Sequence, residues 1–337
     1  MKQFLYRQIE KLLKTRGYTI VPTKLLTAFD KERASRPAAN PPLGTGIEAV
    51  LRADNPALTE LHQRYAALKI DAAVHSRWDS GFVREQVSLS RFRGHSAYVW
   101  AYGELPRPTV LKYFIFAQDV QARAGRYLAR TSEDGAFGCL AYDFSALGRV
   151  SRDRLDSVLE LDFLERHTGL ISKPGLRVLD IGAGYGRLAH RTCEVADVAD
   201  YACLDAIAES TFLCDFYLRH RGLTGRARAV PLDEVATTER LGTFDLAMNI
   251  HSWSECTLAA ITWWVALVQR HEVPWLFVVP NQHDRLLSSE PGAPKQDFRP
   301  VIEAAGYRLV AQEPLFTDPD VRRLVAIKDE YYLFKRS

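Results

Sequence analysis

The residues Val178-Leu179-Asp180-Ile181-Gly182-Ala183-Gly184-Tyr185-Gly186 form an apolar run that ends in three alternate glycines, with an acid two positions before the first. An apolar strand that enters a glycine turn and opens a helix lets a ligand approach the backbone, because no Cβ stands in the way. Open amides at the helix start suit a carboxylate or phosphate. A second acid, Asp205, ends the next predicted strand about 20 residues beyond the turn, where a carboxylate can hold ribose hydroxyls. Together Asp180, Gly182, Gly184, Gly186 and Asp205 point to a nucleotide-containing cofactor, although each acid alone would also serve as a helix cap or a solvated turn. A dinucleotide site normally reads G-x-G-x-x-G and would need glycine at position 187, where this chain has Arg187.

A second group lies at the carboxyl end of the fourth predicted strand, where ligands of open α/β sheets gather. It reads Asn249-Ile250-His251-Ser252-Trp253-Ser254-Glu255, and His251 is a candidate general base. Ser252-x-x-Glu255 is also a capping box for the following helix; the carboxylate can cap, and can steady the tautomer of His251 as well. Asn281-Gln282-His283-Asp284 places a reserve base, His283, on the same rim. His251, Glu255, His283 and Asp284 offer only two acids to an ion that prefers carboxylates and water, so no metal is assigned.

These groups need a scaffold, and the chain supplies an alternating one. Strands are predicted over 177–181, 200–204, 227–230, 244–249, 275–279, 307–313 and 331–335, with helices between most of them, which indicates an α/β domain with a largely parallel sheet. Ser151-Arg152-Asp153 opens the helix leading into it, with a serine cap, an acid in the first turn, Leu155, Val158, Leu159 and Phe163 on one stripe, and Gly169 as its stop. The predicted division is therefore a mainly helical N-terminal region, 1–150, and a cofactor-binding domain, 151–337. In the first, Leu5, Ile9, Leu12 and Leu13 share a helical face ended by Gly17, a proline- and glycine-rich loop covers 36–46, and 56–73 is helical. The stretch 78–100 mixes arginine with aromatics in neither period.

A chain of 337 residues allows about two domains. A net charge of +3 with 25% charged residues means that both signs are interspersed, without broad attraction for nucleic acid. Arg219, His220, Arg221, Arg226 and Arg228 are a local exception; they could meet a phosphate on an acceptor, and equally complement a helix C-terminus. The five cysteines are odd in number with no C-x-x-C spacing, so they read as reduced thiols. Charges at the N-terminus interrupt any signal core, and a cytoplasmic location is expected. The longest apolar run, 258–268, is about half of the roughly 20 residues that a spanning helix requires, so no membrane segment is expected.

The G-x-G-x-G spacing behind Asp180 resembles motif I of class I S-adenosylmethionine-dependent methyltransferases. Several pieces together resemble the bacterial family of sugar O-methyltransferases: 151–157, 180–188, 204–211, 249–255, and Arg91-Phe92-Arg93-Gly94 with Tyr98, Val99 and Trp100. The likeness runs from about Trp78 onward. It implies a Rossmann-like, mostly parallel seven-stranded sheet whose last strand is inserted antiparallel, preceded by a helical region that folds over the cofactor as a lid. It implies S-adenosylmethionine as cofactor, with Leu232 and Asp233 bordering the adenine and Asn249 near the methionine portion. It also implies a small sugar-containing acceptor methylated on a hydroxyl. Such a displacement needs acceptor oxygen, methyl and sulfur in line, and a base for a poorly acidic proton, the role given to His251. Tyr98, Trp100 and Trp253 could stack on a sugar face or on the sulfonium, or serve as core. The family usually carries phenylalanine where this chain has Trp253 and methionine where it has Cys256, departures that bear on the acceptor pocket.

Other readings stay open. A phenolic or polyketide oxygen needs the same base and a flatter pocket, and a catalytically silent module could keep the cofactor fold. A nucleobase amine is disfavoured, because Asn249-Ile250-His251-Ser252 stands where its usual Asp/Asn-Pro-Pro-aromatic turn would be. A nicotinamide oxidoreductase is disfavoured by Arg187 and the order of the last strands. Nothing in the sequence sets a subunit number.

Overall fold

The computed structural model describes residues 13, 15, 19–32, 40–94, 96–99, 107–281 and 285–337. Two short strands, β1 (Ala141–Phe144) and β2 (Gly148–Ser151), pair as an antiparallel hairpin. Seven more follow: β3 (Leu176–Ile181), β4 (Val198–Leu204), β5 (Ala227–Val230), β6 (Leu246–His251), β7 (Trp275–Pro280), β8 (Tyr307–Pro314) and β9 (Glu330–Arg336). They form one sheet in the order β5-β4-β3-β6-β7-β9-β8. β3 to β7 pair in parallel, and β9 is antiparallel to both β7 and β8. This is the expected α/β class, including the antiparallel last strand. The central strands are continuous apolar runs because helices cover both faces of the sheet; Leu276, Phe277 and Val278 are fully buried in β7.

The fourth predicted strand starts later and ends later than expected, because Asp245 is engaged with the backbone of Arg177 at the strand entry. Its end therefore reaches His251. The bridging helix Arg152–Thr168 is capped as expected: Ser151 Oγ accepts from Arg154 N at 3.1 Å, and Gly169 is left-handed. The apolar run 258–268 lies in helix Leu258–Arg270, where Ile261, Trp264, Val265 and Val268 are buried. Among the described residues no helix is long and apolar enough to cross a membrane.

The N-terminal region contributes to the cores on both sides of the sheet. Helix Arg107–Leu128 places Tyr113, Phe114 and Phe116 in one, while helix Pro56–Ala66, capped by Asn55, places Leu58 and Leu61 in the other. The hairpin β1–β2 lies inside the region read as mainly helical; four-residue strands leave too short a pattern to detect. The helix expected over Leu5, Ile9 and Leu12, with its stop at Gly17, lies outside the described residues. Between 78 and 100, Asp79 caps helix Ser80–Gln86, and the described residues beyond it, 87–94 and 96–99, are irregular. That segment is held by side chains: Arg93 is buried and pairs with Glu133 at 2.9 Å and Asp153 at 3.1 Å. Asp153 also accepts from Arg191 and from Tyr185 Oη, which ties the segment to the glycine turn.

Candidate active site

The register Ile181↔Leu204 and Asp180↔Met248 brings the ends of β3, β4 and β6 to one edge of the sheet. A cleft of about 1160 Å³, counting its open mouth, lies there. Its floor includes Asp180, Gly182, Gly184, Asp205, His251 and Glu255; its roof, from the N-terminal region, includes His75, Ser76, Trp78 and Tyr98.

The turn needs glycine for space as well as conformation. Gly182 has φ 73°, and a Cβ there would stand 2.0 Å from Ser252 Oγ; one at Gly184 would meet the Tyr98 ring at 3.1 Å. The open amides expected here are taken within the protein, because the turn is tied to β4. Gly182 N and Ala183 N donate to Leu204 O at 2.8 and 3.1 Å, Gly184 N to Asp205 Oδ2 at 3.0 Å, and Gly186 N to Ala183 O at 3.0 Å. Gly186 heads helix Arg187–Val195 and packs toward Cys214, behind the cleft.

Both acids of the motif face the cleft. Asp205 Oδ1 accepts from Ile207 N at 2.9 Å, and burial pushes its pKa up to about 6 against the hydrogen bonds of Ile207 and Gly184. Asp180 accepts from Tyr201 Oη at 2.9 Å, and burial pushes it up to about 7. Carboxylate oxygens can accept more than one hydrogen bond, so Asp205 keeps acceptor capacity for ligand hydroxyls.

His251 ends β6 with a backbone φ of 67°, a conformation that costs a non-glycine residue energy and is common at functional sites. Its side chain is 37% exposed and lines the cleft, while Nε2 is buried 3.3 Å from Asp329 Oδ2. Burial opposes the imidazolium, but the Asp329 carboxylate outweighs it, and the pKa is raised.

No protein-family model and no curated protein matches the chain, while several solved structures are similar to it. The [4+2]-cyclase SpnF shares 16% identity over 55% of this chain and 82% of that one, with a TM-score of 0.41. The magnesium protoporphyrin IX methyltransferase ChlM from Synechocystis PCC 6803, with bound SAH, shares 13% over 56% and 90%, with a TM-score of 0.37. Geranyl diphosphate methyltransferase in complex with SAM shares 13% over 55% and 86%, with a TM-score of 0.40. At these identities, and with TM-scores below 0.5, the likeness assigns this chain no activity, and the named activities differ among themselves.

Several expected roles change. Glu255 does not reach His251: its carboxylate accepts from Trp78 Nε1 at 2.5 Å and Asn281 Nδ2 at 2.9 Å, and pairs with Arg77 at 3.1 Å. With Ser76 Oγ donating to Glu255 O, this fastens segment 76–78 over the cleft. The capping box is absent as well. Ser252–Glu255 forms one 3-10 turn, and helix Leu258–Arg270 is capped instead by Thr257, whose Oγ1 accepts from Ala260 N. Asn249 is 1% exposed and braces the turn from below, donating to Ile181 O and Ser252 Oγ and accepting from Trp253 N. Leu232 and Asp233 lie outside the cleft under helix Pro56–Ala66, where Tyr65 Oη accepts from Leu232 N and Arg64 grips Asp233 in two places. His283 and Asp284 lie outside the described residues, as does Trp100.

Of the other aromatics, Tyr98 lines the cleft and Trp253 is core, edge-on to Phe298. In the basic cluster, Arg219, Arg221 and Arg228 pair with Asp215, Asp134 and Asp200. Sequence reasoning missed Asp329. Because β9 runs antiparallel, the residue before it lies at the carboxyl edge of β7, beside His251↔Pro280; strand direction was the available signal.

Proposed function

We propose that this protein is a methyltransferase that uses S-adenosylmethionine to methylate a hydroxyl of a sugar-containing small molecule, with His251 as general base. One observation carries the reading: a single cleft joins a buried acid and a half-buried one at a glycine turn to a conformationally strained histidine with a carboxylate behind it. Two carboxylates facing one cleft suit a ligand that bears hydroxyls and an ammonium group, as S-adenosylmethionine does. When bound, it supplies an electrophilic methyl group on sulfonium.

The chain's own residues would do the rest. Asp205 holds ribose hydroxyls and Asp180 faces the cationic end. Nε2 of His251 lies 3.3 Å from Asp329 Oδ2, which leaves Nδ1 to take the acceptor's proton. Segment 76–78, fastened by Glu255, serves as a lid that excludes water. Leu232 and Asp233 have no part while Tyr65 and Arg64 hold them, and Asn249 acts by bracing the turn.

A second reading, a phenolic acceptor, is favoured by the aromatic roof, where Trp78 and Tyr98 have ring centroids 5.5 Å apart. Release of S-adenosylhomocysteine from S-adenosylmethionine separates the two. Aryl glycosides and nucleoside-diphosphate sugars are expected to support release and simple phenols are not. The reverse pattern would move the acceptor to the phenolic class, and release with neither would favour a silent module.

A further inference from the structure

Beside His251 lies a partly buried group of charges, with Arg187 at the cleft wall, that the reaction as described leaves without a task. Asp329 Oδ2 is 3.3 Å from His251 Nε2 and 4.0 Å from Arg152 Nη2, and Arg152 Nε donates to Asp156 Oδ2 at 2.8 Å. Glu160 is held by both terminal nitrogens of Arg187, at 2.8 and 2.9 Å. Among the described residues, three buried polar atoms in this neighbourhood have no formed hydrogen bond: Asp156 Oδ1, Tyr331 Oη and His251 Nε2, whose 3.3 Å approach to Asp329 is an ion-pair contact. Buried orphans of this kind are rare, and a reactive role is one of their few explanations.

We infer that Asp329 is a positioning residue for His251: it holds Nε2, turns Nδ1 toward the cleft and, with Asp156 behind it, balances the imidazolium formed when His251 takes the acceptor's proton. This rests on His251 being the base.

The surrounding charges support it. Asp329 and Glu160 favour the charged ring and Arg152 opposes it; Tyr331 faces Asp156, Glu160 and Asp329, with Arg123 on the opposite sign. Burial pushes Asp156 up to about 6 against Arg152.

In the step itself the acceptor oxygen forms a bond to the methyl carbon as the carbon–sulfur bond breaks, with its electron pair left on sulfur. The hydroxyl proton passes to Nδ1. The ring then carries both protons, with Nε2–H directed at Asp329, and returns the added one to solvent after product release.

The test uses the full chain labelled with ¹⁵N-histidine. Imidazole shifts are followed against pH in the ligand-free protein, with His251→Gln identifying the signal, beside S-adenosylhomocysteine release on the aryl glycoside of highest rate. In the parent protein the neutral ring should be the Nε2–H tautomer, with a midpoint above the ordinary 6.5. Asp329→Asn should lower that midpoint, disturb the tautomer and slow release about 10²-fold with unchanged cofactor KM. Asp329→Glu should restore part of both, and Asp156→Asn should lower the midpoint by less. An unshifted ring in Asp329→Asn, with release still lost in His251→Ala, would overturn the positioning role alone. A shifted ring with release intact would overturn His251 as base, and the role with it.

Discussion

His251→Ala is expected to slow S-adenosylhomocysteine release by about 10²–10⁴-fold while leaving S-adenosylmethionine affinity unchanged, since a positioned base acts on the proton and not on the cofactor. Alanine meets the same backbone strain at φ 67° as histidine, so the strand end should keep its course. The parent rate should rise with pH through a midpoint above 6.5, because only the neutral ring accepts a proton and Asp329 favours the charged one. Steady-state rates against pH, with calorimetric titration of both proteins, check this. Unchanged release in the variant would remove His251 from the mechanism.

The largest effect on stability is expected at Asp153, in the charge network that ties residues 91–94 to the glycine turn. Its Oδ1 accepts from Arg191 Nε and Nη2 at 3.0 and 2.9 Å, and its Oδ2 from Arg93 Nε and Nη2, both at 3.1 Å, and from Tyr185 Oη at 2.5 Å. The side chains of Arg93 and Arg191 are 0% and 1% exposed. Asp153→Ala would leave two buried guanidinium groups sharing Glu133 as their fully buried carboxylate, a loss of about 3–5 kcal/mol for such networks. Burial opposes ionisation of Asp153, but Arg191 and Arg93 outweigh it and hold its pKa well below the ordinary carboxylate range. The stability it lends is therefore fully present above its unfolded value of about 3.9 and is lost as pH falls below it. Denaturant midpoints at pH 7 measure the difference, and a shift no larger than that of a surface substitution would contradict this account of the network.

That network shows where a sequence is silent. β3 with its glycine turn and the Ser151 cap with Gly169 were legible because each depends on neighbours a few residues away. Arg93 gave no sign of burial, since its partners Glu133 and Asp153 come from separate segments far from it in sequence. Local signals also competed. Ser252 reads as a cap, but the 3-10 turn over Ser252–Glu255 leaves the role to Thr257, which sequence reasoning did not single out. In the cleft, Asp180, Gly182, Gly184, Asp205 and His251 stand together because all are at or beside the ends of parallel strands, whose position follows from order alone. Leu232 and Asp233 also follow a strand, but a helix from the other end of the chain covers them. Asp329 depends on strand direction, which periodicity does not carry.

Calorimetric titration of the purified protein with S-adenosylmethionine, S-adenosylhomocysteine and NADH tests the central claim most directly. The cleft is predicted to bind the first two with dissociation constants on the order of micromolar, and NADH not at all. Binding of NADH alone would contradict the assignment of the Gly182–Gly186 turn and the methyl transfer built on it.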